Sequence, residues 1–337
     1  MTQIPALVGD VEAAGFDGLW FTESGRSAYT GCAAAALAAQ HLDIGTAVAL
    51  AFPRSPMVTA QLAWELADAT RGRFVLGLGT QVKAHIERRY GIPFDHPGSR
   101  LREYVEALRA IFRAFQGEAP LDFHGQFWSF DLLPSTWSPG PMDYPQVPIY
   151  VAAVRPWMAR MAGEVADGIH VHPFHSPRYL EQVVFPSLHE GAVASGRDPK
   201  EVAVVCPVMA SVGDTEEEIA RAREELRFRV AFYGSTRTYQ GVFDVHGWAG
   251  TADRLHELQR AGDLTGMAAT ITDEMLDAYT VTATWDQLAD ELLARYRGVA
   301  DRLVTYGATS DWGPSQPGTL ERWRGVADAV AAASSPS

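Results

Sequence analysis

Short apolar runs alternate with amphipathic helical stretches along almost the whole chain, and this alternation limits the fold more than any other feature. Helical spacing covers Ile4–Ala14, and Phe16–Thr22 reads as a short buried strand. The Ala-rich Cys32–His41 is helical and Leu42–Leu50 strand-like. Pro56 opens a helix through about Thr70, with Gly72 placed for a left-handed cap. The strand Arg73–Thr80 and a helix over Arg100–Phe115 come next. Farther on, Val147–Val154, Gly168–His172, Val202–Val212 and Asp301–Tyr306 read as strands. Between and after them, Trp157–Val165, Thr215–Phe232, Trp285–Gly298 and Thr319–Ala332 read as helices. Apolar strands between amphipathic helices predict a parallel sheet covered by helices. Seven such strands in 337 residues suit an eight-fold β/α barrel better than an open sheet. An open doubly wound sheet would also favour a phosphate fingerprint after its first strand, and none is present.

No low-complexity linker interrupts the pattern. Residues 1–333 are therefore expected to form a single barrel domain, with irregular insertions at about 117–146 and 234–282 and a frayed tail at 334–337. Within the first insertion, Asp122–Phe130 alternates like a hairpin arm. Insertions after barrel strands sit over the carboxyl-terminal face, where barrel active sites lie.

Charge narrows the partners. A net charge of −13 argues against a nucleic-acid surface, which needs clustered Lys and Arg. No apolar run approaches the ~20 residues that span a bilayer. The amino terminus has no basic region leading into a long apolar one. Cys32 and Cys206 give neither a disulfide framework nor a zinc spacing, so a reducing cytoplasm is expected. A small-molecule substrate is the partner these features leave, and a homodimer stays open.

Arg73-Phe74-Val75-Leu76-Gly77-Leu78-Gly79-Thr80 is the most informative local stretch. An apolar strand ends in Gly-x-Gly-Thr and passes into polar residues, so its glycines are expected to let a flat or phosphorylated ligand approach the backbone. No third glycine opens a helix there, so it is not a dinucleotide fingerprint. This stretch, Gly15-Phe16-Asp17-Gly18-Leu19-Trp20-Phe21-Thr22-Glu23, Leu42-Asp43-Ile44-Gly45-Thr46-Ala47-Val48 and Ala162-Gly163-Glu164-Val165-Ala166-Asp167-Gly168 follow one another in an order and spacing that resemble the bacterial luciferase-like family. The likeness is to its branch of oxidoreductases thought to use the deazaflavin coenzyme F420, and it runs from about Leu7 to the last helix. It implies a (β/α)8 barrel of the luciferase-like type that binds a flavin or deazaflavin at the carboxyl ends of its strands. The family begins with a strand before its first helix, whereas this chain starts inside that helix. The first strand is therefore expected upstream of Met1.

Candidate site residues follow strand by strand. Glu23 ends the second strand, where the family often has an acid followed by histidine; here the next residue is Ser24. Glu23 either meets the cofactor ring or substrate, or is a solvated carboxylate capping the next helix. By resemblance, Ala47 and Val48 line the cofactor face, commonly with a strained peptide bond behind it; as small apolar residues they also suit barrel filling. Gly79, Thr80 and Gln81 offer amides and a hydroxyl to a pyrimidine carbonyl or ribityl chain. His85, Arg88 and Arg89 fall at helical spacing and can meet a phosphate or acidic tail, although the two arginines are expected rather to pair with Glu87 or solvent. Ala153, Val154 and Arg155 precede Pro156 at a helix start, a place that binds phosphate, where relatives more often carry Gly or Ser.

His170, His172 and His175 raise a metal reading, but no later strand end adds an obvious ligand set. His172 is instead expected at the cofactor phosphate or the substrate, with no metal. Trp128, Phe130, Trp137, Tyr233, Tyr239, Phe243 and Trp248 cluster in the irregular regions and either wall a substrate pocket or anchor loops. The expected activity is hydride transfer between F420 and a small organic substrate. The alternatives are an FMN-dependent monooxygenase and a barrel that binds flavin without turnover.

Overall fold

A computed structural model describes residues 1–306 and 318–334. The tail expected from residue 334 lies outside them, apart from Ser334 at the end of the last helix. The residues form two compact units, the first drawn from 1–152, 160–170 and 188–202 and the second from 153–159, 171–187 and the described residues after 202.

In the first unit, parallel strands β1 (Gly18–Phe21), β2 (Asp43–Thr46), β3 (Ala49–Leu50) and β4 (Phe74–Gly79) alternate with helices α1 (Ile4–Ala13), α2 (Ala28–Ala36) and α3 (Pro56–Ala69). Helices α4 (Lys83–Arg89) and α5 (Pro97–Gln116) follow, and a small antiparallel hairpin, β5 (Phe123–His124) and β6 (Ser129–Phe130), lies where alternation predicts it. β7 (Ile149–Ala153) then pairs with β4, and β8 (Gly168–Val171) adjoins β7. All six residues of β4 are buried, as a central parallel strand requires.

The helices begin and end where their residues dictate. Ser55 accepts the Val58 amide at the start of α3, and Pro56 supplies the preset φ of a first helical position. In α5, Leu101, Leu108, Ile111 and Phe115 form a buried stripe at helical spacing, each contributing roughly 1.5–3 kcal/mol by leaving water. The helix stops at Gly117, whose φ of 77° permits the left-handed cap.

Leu42–Leu50 is not the single strand its apolar run predicts. Gly45 faces Val75 and Ala49 faces Leu78, so four steps on this side match three on β4. One residue is extra, which makes Thr46–Val48 a β-bulge. The Ala47–Val48 peptide within it is cis. Thr46 closes the gap with its side chain: its hydroxyl donates to the Gly77 carbonyl at 2.7 Å and accepts the Gly77 amide at 2.9 Å.

In the second unit, β9 (Ala203–Val208) pairs in parallel with β12 (Arg302–Thr305), and β10 (Ala210–Gly213) with β11 (Val281–Thr284). The expected strand over Val202–Val212 is thus divided at Met209. Thr215 and Glu218 form a capping box that starts the long helix Glu216–Gly234. Residues 234–282, expected to be irregular, instead hold four short helices, Gln240–Asp244, Thr251–Ala261, Leu264–Thr270 and Asp273–Tyr279, as well as the start of β11. Three of them have only 5, 7 and 7 residues, too few for a helical period to stand out, and Gly262, Asp263 and Thr272 punctuate the series as caps. No helix among the described residues is long and apolar enough to cross a membrane.

Candidate active site

Glu23 leaves the end of β1 and turns into protein. Arg54 grips it with two nitrogens, Nη2 at 2.5 Å and Nη1 at 3.0 Å, and the Leu50 amide donates to Oε2 at 2.7 Å. The Glu23 amide in turn donates to the Val48 carbonyl at 3.3 Å. Glu23 is 9% exposed, and both of its carboxylate oxygens are engaged. It is therefore neither solvated nor a helix cap. Arg54, from the turn after β3, also donates to the Leu50 carbonyl at 3.2 Å and stands over the Tyr29 ring at 4.9 Å. Backbone and side-chain bonds together clamp the bulge from both ends.

The glycines of β4 serve a purpose other than the one read from sequence. A Cβ at Gly77 would lie 1.9 Å from the Thr46 carbonyl oxygen and 2.7 Å from Nε2 of His170. At Gly79 it would meet Cγ2 of Val48 at 2.6 Å. The space a side chain would fill is taken by the bulge and by His170, so these glycines admit protein. The missing Cβ reads the same in sequence whichever neighbour uses the room.

Ala47 and Val48 are half-exposed, although the residues flanking them on both sides, Thr46 and Ala49, are wholly buried. Thr80, past the end of β4, is half-buried and donates its hydroxyl to the Gln81 carbonyl at 3.1 Å. Gln81 has φ 58°, a left-handed value rare for a residue with a side chain, and its Oε1 accepts the Val82 amide at 3.0 Å. A backbone held in this region at a strand end is a recurrent mark of ligand sites. The bulge therefore joins Glu23, Ala47, Val48 and Gly79, with Thr80 and Gln81 just past the end of β4.

His85 stands exposed in the first turn of α4, with no hydrogen bond or ion pair from its side chain to the bulge. Glu87 pairs with Lys83 at 3.7 Å. Arg89 instead donates to the Ser24 carbonyl and lies over the Tyr90 ring, which fastens α4 to the turn after Glu23.

In the second unit, Ala153 is buried, Val154 half-buried and Arg155 exposed. The Tyr179 hydroxyl donates to the Val154 carbonyl at 2.8 Å; burial raises the pKa of that hydroxyl, and the Arg155 charge offsets part of the rise. His172 lies against Tyr239 and Tyr233, with ring centres 4.5 and 4.9 Å away. The Tyr233 hydroxyl meets that of Tyr306 at 2.6 Å. His170 belongs to the first unit, where Trp20 and Tyr150 enclose it at 5.1 and 5.6 Å, and burial pushes its pKa down to about 3. Its Nε2 has no hydrogen-bond partner among the described residues. No cluster of three or more His, Cys, Asp or Glu among them is arranged to hold a metal ion. A cavity of about 570 Å3 in the second unit is lined by Ser176, Arg178, His246, Thr282 and Arg295 among others, and none of the expected site residues lines it.

Sequence reading missed Arg54 and left Tyr233 and Tyr239 unassigned. Arg54 carried one usable signal: it is a lone cation in the turn after the strand that holds the bulge. The residues present fit a flat heteroaromatic ring. Ala47 and Val48 offer a small apolar face, and Thr80 and Gln81 add uncharged polar groups beside it.

Parallel strands joined by helices define an α/β fold, in which the carboxyl ends of the strands are the usual place for a ligand. This chain belongs to the luciferase-like monooxygenase family, whose model matches residues 1–302. An uncharacterised protein of Mycobacterium tuberculosis (strain H37Rv) is 41% identical over 87% of this chain and 86% of its own. A 5,10-methylenetetrahydromethanopterin reductase of Archaeoglobus fulgidus is 29% identical over 83% of this chain and 82% of its own. Among solved structures, the coenzyme F420-dependent tetrahydromethanopterin reductase of Methanopyrus kandleri superposes with a TM-score of 0.77 at 21% identity, covering 98% of this chain and 95% of that one. The FMN-bound oxygenating constituent of 3,6-diketocamphane monooxygenase from Pseudomonas putida gives 0.65 at 17% identity, covering 98% and 93%. These last two likenesses are of fold. The fold class is the luciferase-like α/β barrel expected from the sequence, and both F420 and FMN serve proteins that share it.

Proposed function

We propose that the chain is an oxidoreductase that moves hydride between a deazaflavin of the F420 type and a small organic substrate. The observation that carries this reading is the clamped bulge: half-open Ala47 and Val48, held by Glu23 and Arg54 beside Thr80 and Gln81. Such a platform orients a flat ring with uncharged groups and adds no formal charge of its own to the face. A deazaflavin, when bound, supplies hydride chemistry and reacts poorly with oxygen. Ala47 and Val48 would hold the ring face and Thr80 and Gln81 its polar edge, with Gly79 making room for Val48 behind them. His85, on α4 of the same unit, is the proposed partner of the deazaflavin's acidic tail. Glu23 is assigned a holding role, because its oxygens are committed to Arg54 and Leu50; proton transfer falls to another group. A cytoplasmic setting belongs to this reading, in keeping with Cys32 and Cys206, both buried and outside any disulfide.

The second reading is an FMN-dependent monooxygenase, favoured by the family description and by the FMN-bound relative. Mixing the protein with reduced deazaflavin and a panel of ketones, and following reoxidation by absorbance without oxygen, separates the two. Substrate-dependent reoxidation in the absence of oxygen supports hydride transfer. Turnover only with reduced FMN and oxygen would replace this reading with the second.

A further inference from the structure

His172 is wired so that one ring nitrogen alone is left for a ligand. The Phe174 amide donates to Nδ1 at 3.1 Å, so in the neutral ring the hydrogen sits on Nε2. Among the described residues no hydrogen bond reaches Nε2, and unlike Nε2 of His170 it is not sealed from solvent. The His172 backbone is fixed as well. Nδ1 of His175 lies 2.8 Å from the His172 carbonyl, which can only accept, so His175 carries its hydrogen on Nδ1. Its Nε2 then accepts from the Tyr296 hydroxyl at 3.2 Å.

Among the described residues, the titratable groups around the ring are Tyr233 on the long helix, Tyr239 on the next turn and His175 on its own segment. Beyond Tyr233 lie Tyr306 and the Arg229 guanidinium, 5.6 Å from the Tyr306 ring centre. None of these described groups brings a negative charge that would favour an imidazolium. Burial, with a smaller contribution from His175, pushes the His172 pKa down to about 3. An aromatic wall with a neutral donor also gives no counter-charge to offset the desolvation of an anion.

We propose that His172 is a fixed, neutral hydrogen-bond donor whose Nε2–H addresses an uncharged oxygen of the substrate, a carbonyl or hydroxyl, and that His175 is the positioning residue that fixes it. This deepens the proposed function, since it rests on the chain acting on an organic substrate. The test is a long-range 1H–15N correlation spectrum of the full chain labelled with 15N-histidine, with His172 assigned by the loss of its peaks in His172→Gln. The expected result is one neutral tautomer, hydrogen on Nε2, from about pH 5 to 8. His175→Leu is expected to mix the tautomers, and His175→Asn, which keeps a donor near Nδ1, to restore the single one. Circular dichroism checks the fold of each variant; should His175→Leu not fold, the wild-type and His175→Asn spectra still decide. Acetone and acetate are then added with and without bound deazaflavin, and acetone alone is expected to move the Nε2 resonance.

Titration near a pH of about 6.5, hydrogen on Nδ1, a response only to acetate or a response to neither probe overturns the assignment. Deazaflavin binding is measured separately by absorbance. Its failure strikes the proposed function, while the cofactor-free spectra judge His172 on their own.

Discussion

Arg54 holds Glu23 through two guanidinium nitrogens, at 2.5 and 3.0 Å, and the same carboxylate takes the Leu50 amide, so one ion pair pins the far end of the bulge. The Glu23 side chain is 5% exposed and that of Arg54 20%. Removing the cation leaves a buried carboxylate with one amide partner. Arg54→Met is expected to cost on the order of 3 kcal/mol in urea unfolding, and Arg54→Lys less, because a point charge keeps attraction but loses the fork. Unchanged stability in Arg54→Met would show that the clamp does not hold the bulge.

The two glycines of β4 should differ in whether a second mutation rescues them. Gly79→Ala meets a side chain, Cγ2 of Val48, and should cost about 1–3 kcal/mol, largely recovered by adding Val48→Ala. Gly77→Ala meets the Thr46 carbonyl, a backbone atom, and should cost more with no rescue from Val48→Ala. A double-mutant cycle by thermal or urea unfolding reads this directly, and equal behaviour of the two positions would contradict it.

Thr46 spends one hydroxyl on both polar groups of Gly77. Thr46→Val keeps the shape and strands a buried amide and carbonyl, for an expected loss of about 1–3 kcal/mol, while Thr46→Ser should retain most of the stability. Hydrogen exchange at the Gly77 amide, faster in the Val variant alone, is the local check.

Acid should weaken the fold through its buried histidines. Burial pushes His170 and His172 down to about 3 and His175 to about 4, below their unfolded value. The unfolded chain therefore binds their protons first. Stability from these groups is fully present above pH ~6.5 and declines as pH falls toward 4, by up to ~1.4 kcal/mol per pH unit for each. Urea midpoints at about pH 7 and 5 should differ accordingly, and His170→Phe, if it folds, should reduce the slope by about one proton. A flat profile would mean that the rings take up protons inside the fold.

The strand–helix alternation was legible because buried parallel strands and amphipathic helices leave different periods, and β4, α3 and α5 stand within a few residues of where their patterns put them. The bulge was not legible. Thr46-Ala47-Val48 is as apolar as a continuous strand, and the extra residue exists only against the register of β4. Gln240–Asp244, Leu264–Thr270 and Asp273–Tyr279 escaped for a different reason, being too short to display a period. Glu23 stood out by its place at a strand end, but its partner lies 31 residues away in a turn, a distance no local pattern spans. The wall of Tyr233 and Tyr239 around His172 likewise comes from tertiary packing.

The central claim, that the clamped platform of Ala47, Val48, Thr80 and Gln81 receives a deazaflavin, is tested most directly by equilibrium titration of the protein with F420 and FMN in both redox states. Saturable F420 binding at micromolar affinity or tighter, at least ~10-fold stronger than FMN and weakened by Arg54→Met, is the predicted result. Tight FMN binding with no affinity for F420 would contradict it.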